Sequence, residues 1–407
     1  MALVDQMCQT KPLGESTGQM KLASRLATVT CTLALAGCAV HGRWISSAAP
    51  RMERASADDL DCVIIVVGDA GEAEGPGRGM VLDVARHDAA ILSKKTETVV
   101  VFVGDNVYPD PSTERASERL DAQIDVPLGA GVRGVFALGN HDYRAEGHSP
   151  PGTLWERDRV TDRASSCHGD VRVLPDAGSI GPAIVDIGTR ARLAVLDTER
   201  WLDCAESGES EIGGAAVYQA IQQLSGAHDP TDKRHLIVIG HHPTATHGPH
   251  GGFYAWQEFL WSSDLLGFPL PLLAPLIYHF GSDIAGRNLD QNLHNARYER
   301  FRNELDAAME SAGVLAYVAG HEHSLQWISN RRGGRTGALY QVVSGAGSPG
   351  KLEPVGRGDD TLFVSSEPGF VRLEFHTDGS VMLEIVEVLS DGSGQTRRAT
   401  FRMAAAN

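Results

Sequence analysis

The sequence predicts an α/β (α+β) protein in which two mixed β-sheets pack together and are flanked by helices. Two patterns carry that prediction. Short apolar runs alternate with helix-like stretches through most of the chain, and a later stretch reads as consecutive strands joined by a tight turn. Composition agrees, since 42% hydrophobic and 22% charged residues in a chain of 407 describe a folded protein. No run of 18 apolar residues occurs, so no segment reads as a spanning helix. With a net charge of −16 the chain lacks the basic balance that duplex binding needs, and no nucleic-acid partner is expected.

In chain order, residues 20–38 come first. Lys21 and Arg25 precede a short apolar segment, Leu26 to Leu35, and then Ala36, Gly37 and Cys38. That is the pattern of an export signal. Its ending resembles the lipobox of bacterial lipoproteins, which implies cleavage before Cys38 and a lipid on the cysteine. Residues 1–19 carry Asp5 and Glu15 and lack signal character, so Met20 is a candidate start. Ala39 stands where inner-membrane lipoproteins have aspartate, and the expected location is the outer membrane of the cell envelope. The expected organisation is a signal segment 1–37, a lipidated tether 38–58, one folded domain 59–390 with an insertion at about 253–295, and a tail 391–407.

Apolar runs at 62–67, 98–103, 133–138, 192–197, 235–239 and 314–318 predict buried strands. Helices are expected near 79–94, 113–124, 211–224 and 296–312. Residues 338–344, 370–375 and 381–388 predict further strands, with Thr377-Asp378-Gly379-Ser380 as a hairpin turn. The apolar stretch 265–278 holds three prolines and reads as a packed loop rather than a helix. Cys62 lies in an apolar run and is expected in the core. Cys167 and Cys204 lie in polar sequence; export permits a disulfide between them, and the spacing leaves the pairing open.

The chemistry sits where apolar runs end. Five runs are followed by Gly68-Asp69-Ala70-Gly71, Gly104-Asp105-Asn106-Val107-Tyr108, Gly139-Asn140-His141-Asp142, Gly240-His241-His242-Pro243 and Gly320-His321-Glu322-His323. Ligands of α/β sheets bind beyond the carboxyl ends of strands, and glycine lets the backbone turn sharply there. The pattern predicts one polar cluster at one sheet edge. Its donors are oxygens and imidazole nitrogens without thiolate, a set that suits iron, zinc or manganese. There are more donors than one ion needs, so two ions are expected, with Asp105 able to bridge them. Two ions ~3.5–4 Å apart suit an in-line displacement at phosphorus.

These blocks resemble the calcineurin-like metallophosphoesterase superfamily and, within it, the purple acid phosphatases, whose pattern GDxG, GDxxY, GNH(D/E), VxxH and GHxH is present throughout. The fourth block is Val238-Ile239-Gly240-His241. Gly71 in place of histidine and the presence of Tyr108 favour the purple type. Residues 320–327, Val343 to Gly347 and His247-Gly248-Pro249 are similar to the small tartrate-resistant form. The resemblance spans roughly 60–350 and implies a four-layer sandwich of two mixed sheets with helices outside. Carried over by motif, it implies Asp69, Tyr108 and His323 on a first metal and Asn140, His241 and His321 on a second, with Asp105 between them. The metals it implies are ferric iron at the tyrosine and a divalent ion (iron, zinc or manganese) beside it.

His141 follows a ligand and is the best-placed proton donor to a leaving group. His247 and His250 compete for contact with the substrate phosphate; the first matches by its Gly-Pro neighbours and the second by its spacing. His242 and Glu322 are expected to pack or point away from the metals, and Asp142 to orient a ligand or cap its loop. His279, His294 and His376 have no motif around them and are expected to be structural. The expected activity is hydrolysis of phosphate monoesters by water activated on two metals. Phosphodiester, phospholipid or nucleotide cleavage on the same metals is the alternative enzyme, and a non-enzymatic envelope lipoprotein is the alternative outside catalysis.

Overall fold

The computed structural model describes residues 42–52, 59–72, 80–144, 151–207, 210–224, 231–253, 293, 295–389 and 395–405. The signal segment, Cys38, the glycine-rich loop 73–79 and nearly all of the 253–295 insertion, with the 265–278 stretch, His279 and His294, lie outside the described residues.

The chain begins with β1 (Arg43–Ile45), β2 (Leu60–Val67), α1 (Met80–Leu92), β3 (Glu97–Val103), α2 (Ala116–Ala130) and β4 (Arg133–Ala137). Then come α3 (Asn140–Tyr143), α4 (Gly152–Ser166), β5 (Val171–Val173), β6 (Ala183–Ile187), β7 (Ala191–Val195), α5 (Thr198–Ser207) and α6 (Ser210–Gln223). The chain continues through β8 (His235–Ile239), α7 (Ala296–Ala312), β9 (Ala316–Ala319), β10 (Leu325–Ser329), β11 (Tyr340–Ser344) and β12 (Thr361–Ser365). It closes on β13 (Gly369–His376), β14 (Val381–Val388) and β15 (Thr396–Ala404).

Fifteen described strands form two mixed sheets. One has the order β15-β14-β13-β2-β3-β4-β5 and the other β1-β12-β10-β11-β9-β8-β7-β6. In each, a parallel block (β2-β3-β4-β5 in one, β7-β8-β9-β11 in the other) is extended by antiparallel strands. The two inner faces meet in one core that includes Ile64, Val66, Val99, Val101, Leu193, Ile237, Val318, Trp327 and Leu373. Alternate residues of the same strands, such as Val63, Ile65 and Val67, pack outward with apolar residues of α1 and α2. A second helical layer, α5, α6 and α7, covers the other sheet through Trp201, Ile221, Phe301 and Leu305. Burial on both faces is why these strands are continuous apolar runs rather than alternating ones.

Local signals set the helix ends. The Asn295 side chain accepts the Arg297 N–H at 2.8 Å and caps α7, and Gly313 at φ 67° closes it. The helix expected to stop at 124 runs on to Ala130 with Pro127 inside it, because its buried face continues through Val126 and Pro127. Helix α4 was not expected, since its sequence is mostly polar and only Gly152, Glu156, Val160 and Ala164 are buried.

Two boundaries need correction. The tail 391–407 contains β15, which pairs with β14 along its length, and the tether 38–58 contains β1, which pairs with β12. Both are edge strands with short or charge-rich sequences, which carry a weak strand signal. Cys62 is buried as expected, whereas Cys167 is exposed and free; the side chain of Cys204 lies outside the described residues.

Candidate metal centre

All five glycine-led blocks sit where a parallel strand ends. β2 runs into Asp69, β3 into Asp105, β4 into Asn140, β8 into His241 and β9 into His321. They do not share one sheet edge. Asp69, Asp105 and Asn140 come from one sheet and His241, His321 and His323 from the other, so the cluster lies where the carboxyl ends of two sheets converge. Apolar runs from the two sheets look alike in sequence, which hid the division.

Glycine permits that convergence. A Cβ on Gly104 would stand 2.6 Å from His241 Nδ1, and one on Gly320 would stand 2.5 Å from Asp69 Oδ2. Three residues after these strands take left-handed backbone without being glycine: Asp69 at φ 56°, Asp105 at 54° and His321 at 72°. Such conformations cost about 1–3 kcal/mol each and persist where surrounding contacts fix them.

The side chains form two touching groups. In the first, the Tyr108 hydroxyl lies 3.0 Å from Asp69 Oδ1, 2.9 Å from Asp105 Oδ2 and 3.0 Å from His323 Nε2. In the second, His241 Nε2 lies 3.0 Å from Asn140 Oδ1, 3.3 Å from Asp105 Oδ1 and 3.3 Å from His321 Nδ1. Asp105 touches both groups. The His241 ring is fixed from behind by its Nδ1, 2.9 Å from the Val103 carbonyl oxygen.

The electrostatics match a site for cations. Burial, and then the neighbouring Asp105, raises the Asp69 carboxyl well above its ordinary range. Burial acts the same way on Asp105, but the His241 and His141 imidazoles outweigh it and hold that carboxyl at about 2. Burial pushes His321 and His242 well below the usual imidazole value and His323 to about 3, so these rings are neutral, as ligands must be. Buried His321 Nε2 has no hydrogen-bond partner among the described residues. Oxygen and nitrogen lone pairs thus converge on two points, and cations satisfy such a set. Two overlapping groups, Asp69-Asp105-His241 and His241-His242-His321, have the spacing for an ion.

A second layer fixes these loops. Asp142 accepts the backbone N–H of Gly139, Asn106 and Val107, so it orients two of the five blocks at once. The Asn106 amide donates to Glu156 Oε1 of α4 at 2.7 Å, and burial raises Glu156 to about 8. Thr198 Oγ1 accepts the N–H of both His241 and His242 and lies 2.9 Å from His242 Nδ1. His242 Nε2 is 3.4 Å from Glu199 Oε2. His242 is therefore held from α5, and its ring packs against His241 and His321.

The remaining histidines separate clearly. His141 packs edge-on to Tyr108, with Nδ1 2.6 Å from the Pro109 carbonyl oxygen and Nε2 4.0 Å from Asp105 Oδ2. His250 lies over the His321 ring, centroids 4.2 Å apart, and its Nδ1 is 3.6 Å from Glu322 Oε1. His247 is turned away from the cluster, with Nε2 2.8 Å from Asp360 Oδ1 and its ring against Phe253. The Gly-Pro neighbours therefore mark the residue that anchors the loop, and spacing marks the one beside the cluster. Glu322 is fully buried against Gly248 and His250, and His376 is buried within β13.

Sequence reasoning missed Glu156, Thr198, Glu199 and Asp360. A signal existed for two of them: Thr198 and Glu199 follow the apolar run 192–197 as the metal-type residues follow the other runs. Glu156 and Asp360 lie in polar sequence with no local mark.

Among solved structures, the chain is similar to GAP50, the anchor in the inner membrane complex of Plasmodium, at 14% identity over 84% of this chain and 89% of that one, TM-score 0.50. It is also similar to a dimetal phosphatase from Danio rerio, at 12% identity over 85% of this chain and 100% of that one, TM-score 0.43. No curated protein matches the sequence. The calcineurin-like phosphoesterase family model matches residues 63–325, a span that contains all five blocks. With two mixed sheets inside helical layers and paired His/Asp groups where the sheets converge, the chain belongs to the calcineurin-like phosphoesterase family, whose members imply a dimetal site here.

Proposed function

We propose that this protein is a dimetal hydrolase of phosphate monoesters, of the purple acid phosphatase type, held in the cell envelope by a lipid on Cys38. The observation that carries the reading is the meeting of the two donor groups on Asp105. In this reading Asp69, Tyr108 and His323 hold one ion, Asn140, His241 and His321 the other, and Asp105 lies between them. A phenolate is a hard anionic donor, which supports ferric iron on the Tyr108 side and a divalent ion beside it. When bound, the pair supplies Lewis acidity to the phosphoryl oxygens and a water acidic enough to attack near neutral pH.

The chain's own residues do the rest. His141 stands at the rim, 17% exposed, where it can give a proton to the departing alkoxide. His250, directed by Glu322, is placed to contact the phosphate, and His247 anchors the loop that carries it. Buried His241 and His321 form the floor of the site. The lipobox-like ending Leu35 to Cys38 supports the envelope location.

The test is hydrolysis of chromogenic mono- and diesters by the purified protein, before and after chelation. Monoester turnover that falls at least about a hundredfold on metal removal and returns on reloading is expected. Diester preference would replace the monoester reading. Silence on both esters with two metals bound would leave a non-enzymatic binding role. A second expectation concerns colour. Tyrosinate bound to ferric iron absorbs visible light, and Tyr108→Phe should abolish that band while leaving the fold intact; a colourless wild type carrying iron would exclude the ferric assignment.

A further inference from the structure

We propose that Lys351 is a substrate-binding residue that selects the dianionic phosphate of a monoester over the monoanion of a diester, an inference that rests on the phosphate-ester reading above. Its ammonium stands 4.2 Å from the centroid of the Tyr108 ring, whose hydroxyl touches Asp69, Asp105 and His323. Lys351 is partly exposed, and its ammonium has no carboxylate partner among the described residues. The deep members of the cluster, Asp69, His241 and His321, are almost fully buried, whereas His141 and His323 are each 17% exposed. Tyr108 and Lys351 therefore lie on one open side of the cluster, that of His141 and His323, while His250, 28% exposed, lies over His321 on another.

This placement is built into the backbone. Gly347 N–H donates to the Gly68 carbonyl at 3.0 Å, and Ser348 Oγ donates to the Asp69 carbonyl at 2.6 Å while accepting the Glu72 N–H at 3.0 Å. Lys351 N–H closes a turn onto the Ser348 carbonyl at 3.0 Å, and Glu353 N–H donates to the His323 carbonyl at 3.1 Å. Residues 347–353 are thus tied to the first and the last of the five blocks, and the backbone of the lysine between those ties is held beside the cluster. A π face attracts the ammonium to the same place.

The chemical consequence follows from charge. A phosphate monoester loses its second proton near pH ~6 and presents two negative charges at neutral pH. A diester presents one charge and carries a carbon substituent in place of the second anionic oxygen. An ammonium at the rim favours the former, and as a point charge it needs no fixed geometry to do so.

The test compares the metal-loaded wild type with Lys351→Met and Lys351→Arg. Binding of inorganic phosphate is measured by calorimetry, and kcat/KM by mono- and diester assays. Lys351→Met should weaken phosphate binding and monoester kcat/KM by about tenfold each, leave the diester within about twofold, and keep both metals. Lys351→Arg should recover most of the loss. Unchanged phosphate binding in Lys351→Met would overturn the proposal, as would equal losses on both esters. If the wild type hydrolyses neither ester, the monoester reading fails, and the calorimetry alone still decides whether Lys351 binds phosphate.

Discussion

Replacing Asp105 by asparagine should lower phosphate-ester turnover on the order of a thousandfold or more and reduce bound metal from two ions to one or none. The substitution is a narrow one. Asparagine has the same shape and tolerates the left-handed backbone of this position (φ 54°), so the loop should keep its course. What changes is charge. Asp105 Oδ2 faces Tyr108, Oδ1 faces His241, and the His141 N–H donates to Oδ1 at 2.9 Å. Asp105 meets side chains of both donor groups, so the neutral amide removes anionic character from both at once. Activity assays, metal analysis and far-ultraviolet circular dichroism on the same preparation check the claim. A variant that keeps two ions and full turnover would show that Asp105 is not the joint of the centre.

The largest stability effect is expected far from that centre, at Arg372 on β13. Its side chain is 1% exposed and meets Asp88 of α1 at 3.1 Å, Glu374 at 2.5 Å and Glu384 of β14 at 2.6 Å. Arg398 of β15 also reaches Asp88 and Glu384, at 2.7 and 2.9 Å. This buried network joins three strands and a helix on the outer face of one sheet. Arg372→Met preserves most of the side-chain volume but takes the guanidinium from three buried carboxylates, of which Asp88 and Glu384 keep partly exposed Arg398. Removing one partner of a buried ion group costs about 3–5 kcal/mol, because the remaining charges lose their compensation. Thermal or denaturant unfolding should register a Tm lower by roughly 5 °C or more. The exposed Arg86–Asp83 pair is the control, and Arg86→Ala should stay within about 0.5 kcal/mol of wild type. Equal stabilities for the two variants would mean that the Arg372 network contributes nothing.

Much of the fold was legible because β2, β3, β4, β8 and β9 are buried on both faces for most of their length and so appear as apolar runs. The candidate centre was legible for a related reason: the glycine that lets the chain turn is followed at once by the donor it exposes, as in Gly68-Asp69 and Gly320-His321. Edge strands such as β1 and β15 were not visible, since one side faces solvent and their sequences are short or charged. Helix α4 was hidden by its polarity, and with it Glu156.

The chain's own order of residues therefore determined which side chains gather at the candidate centre, because each donor lies within two to five residues of a strand end. Only the tertiary structure decided how those donors are shared. It placed Asp69, Asp105 and Asn140 on one sheet and His241, His321 and His323 on the other. It turned His247 toward Asp360 and His250 toward His321, and it brought Lys351 over the Tyr108 ring. The physical reason is that these outcomes depend on the packing of two sheets against each other. That packing is set by core side chains spread over the whole chain, while the donor motifs record only where each strand stops.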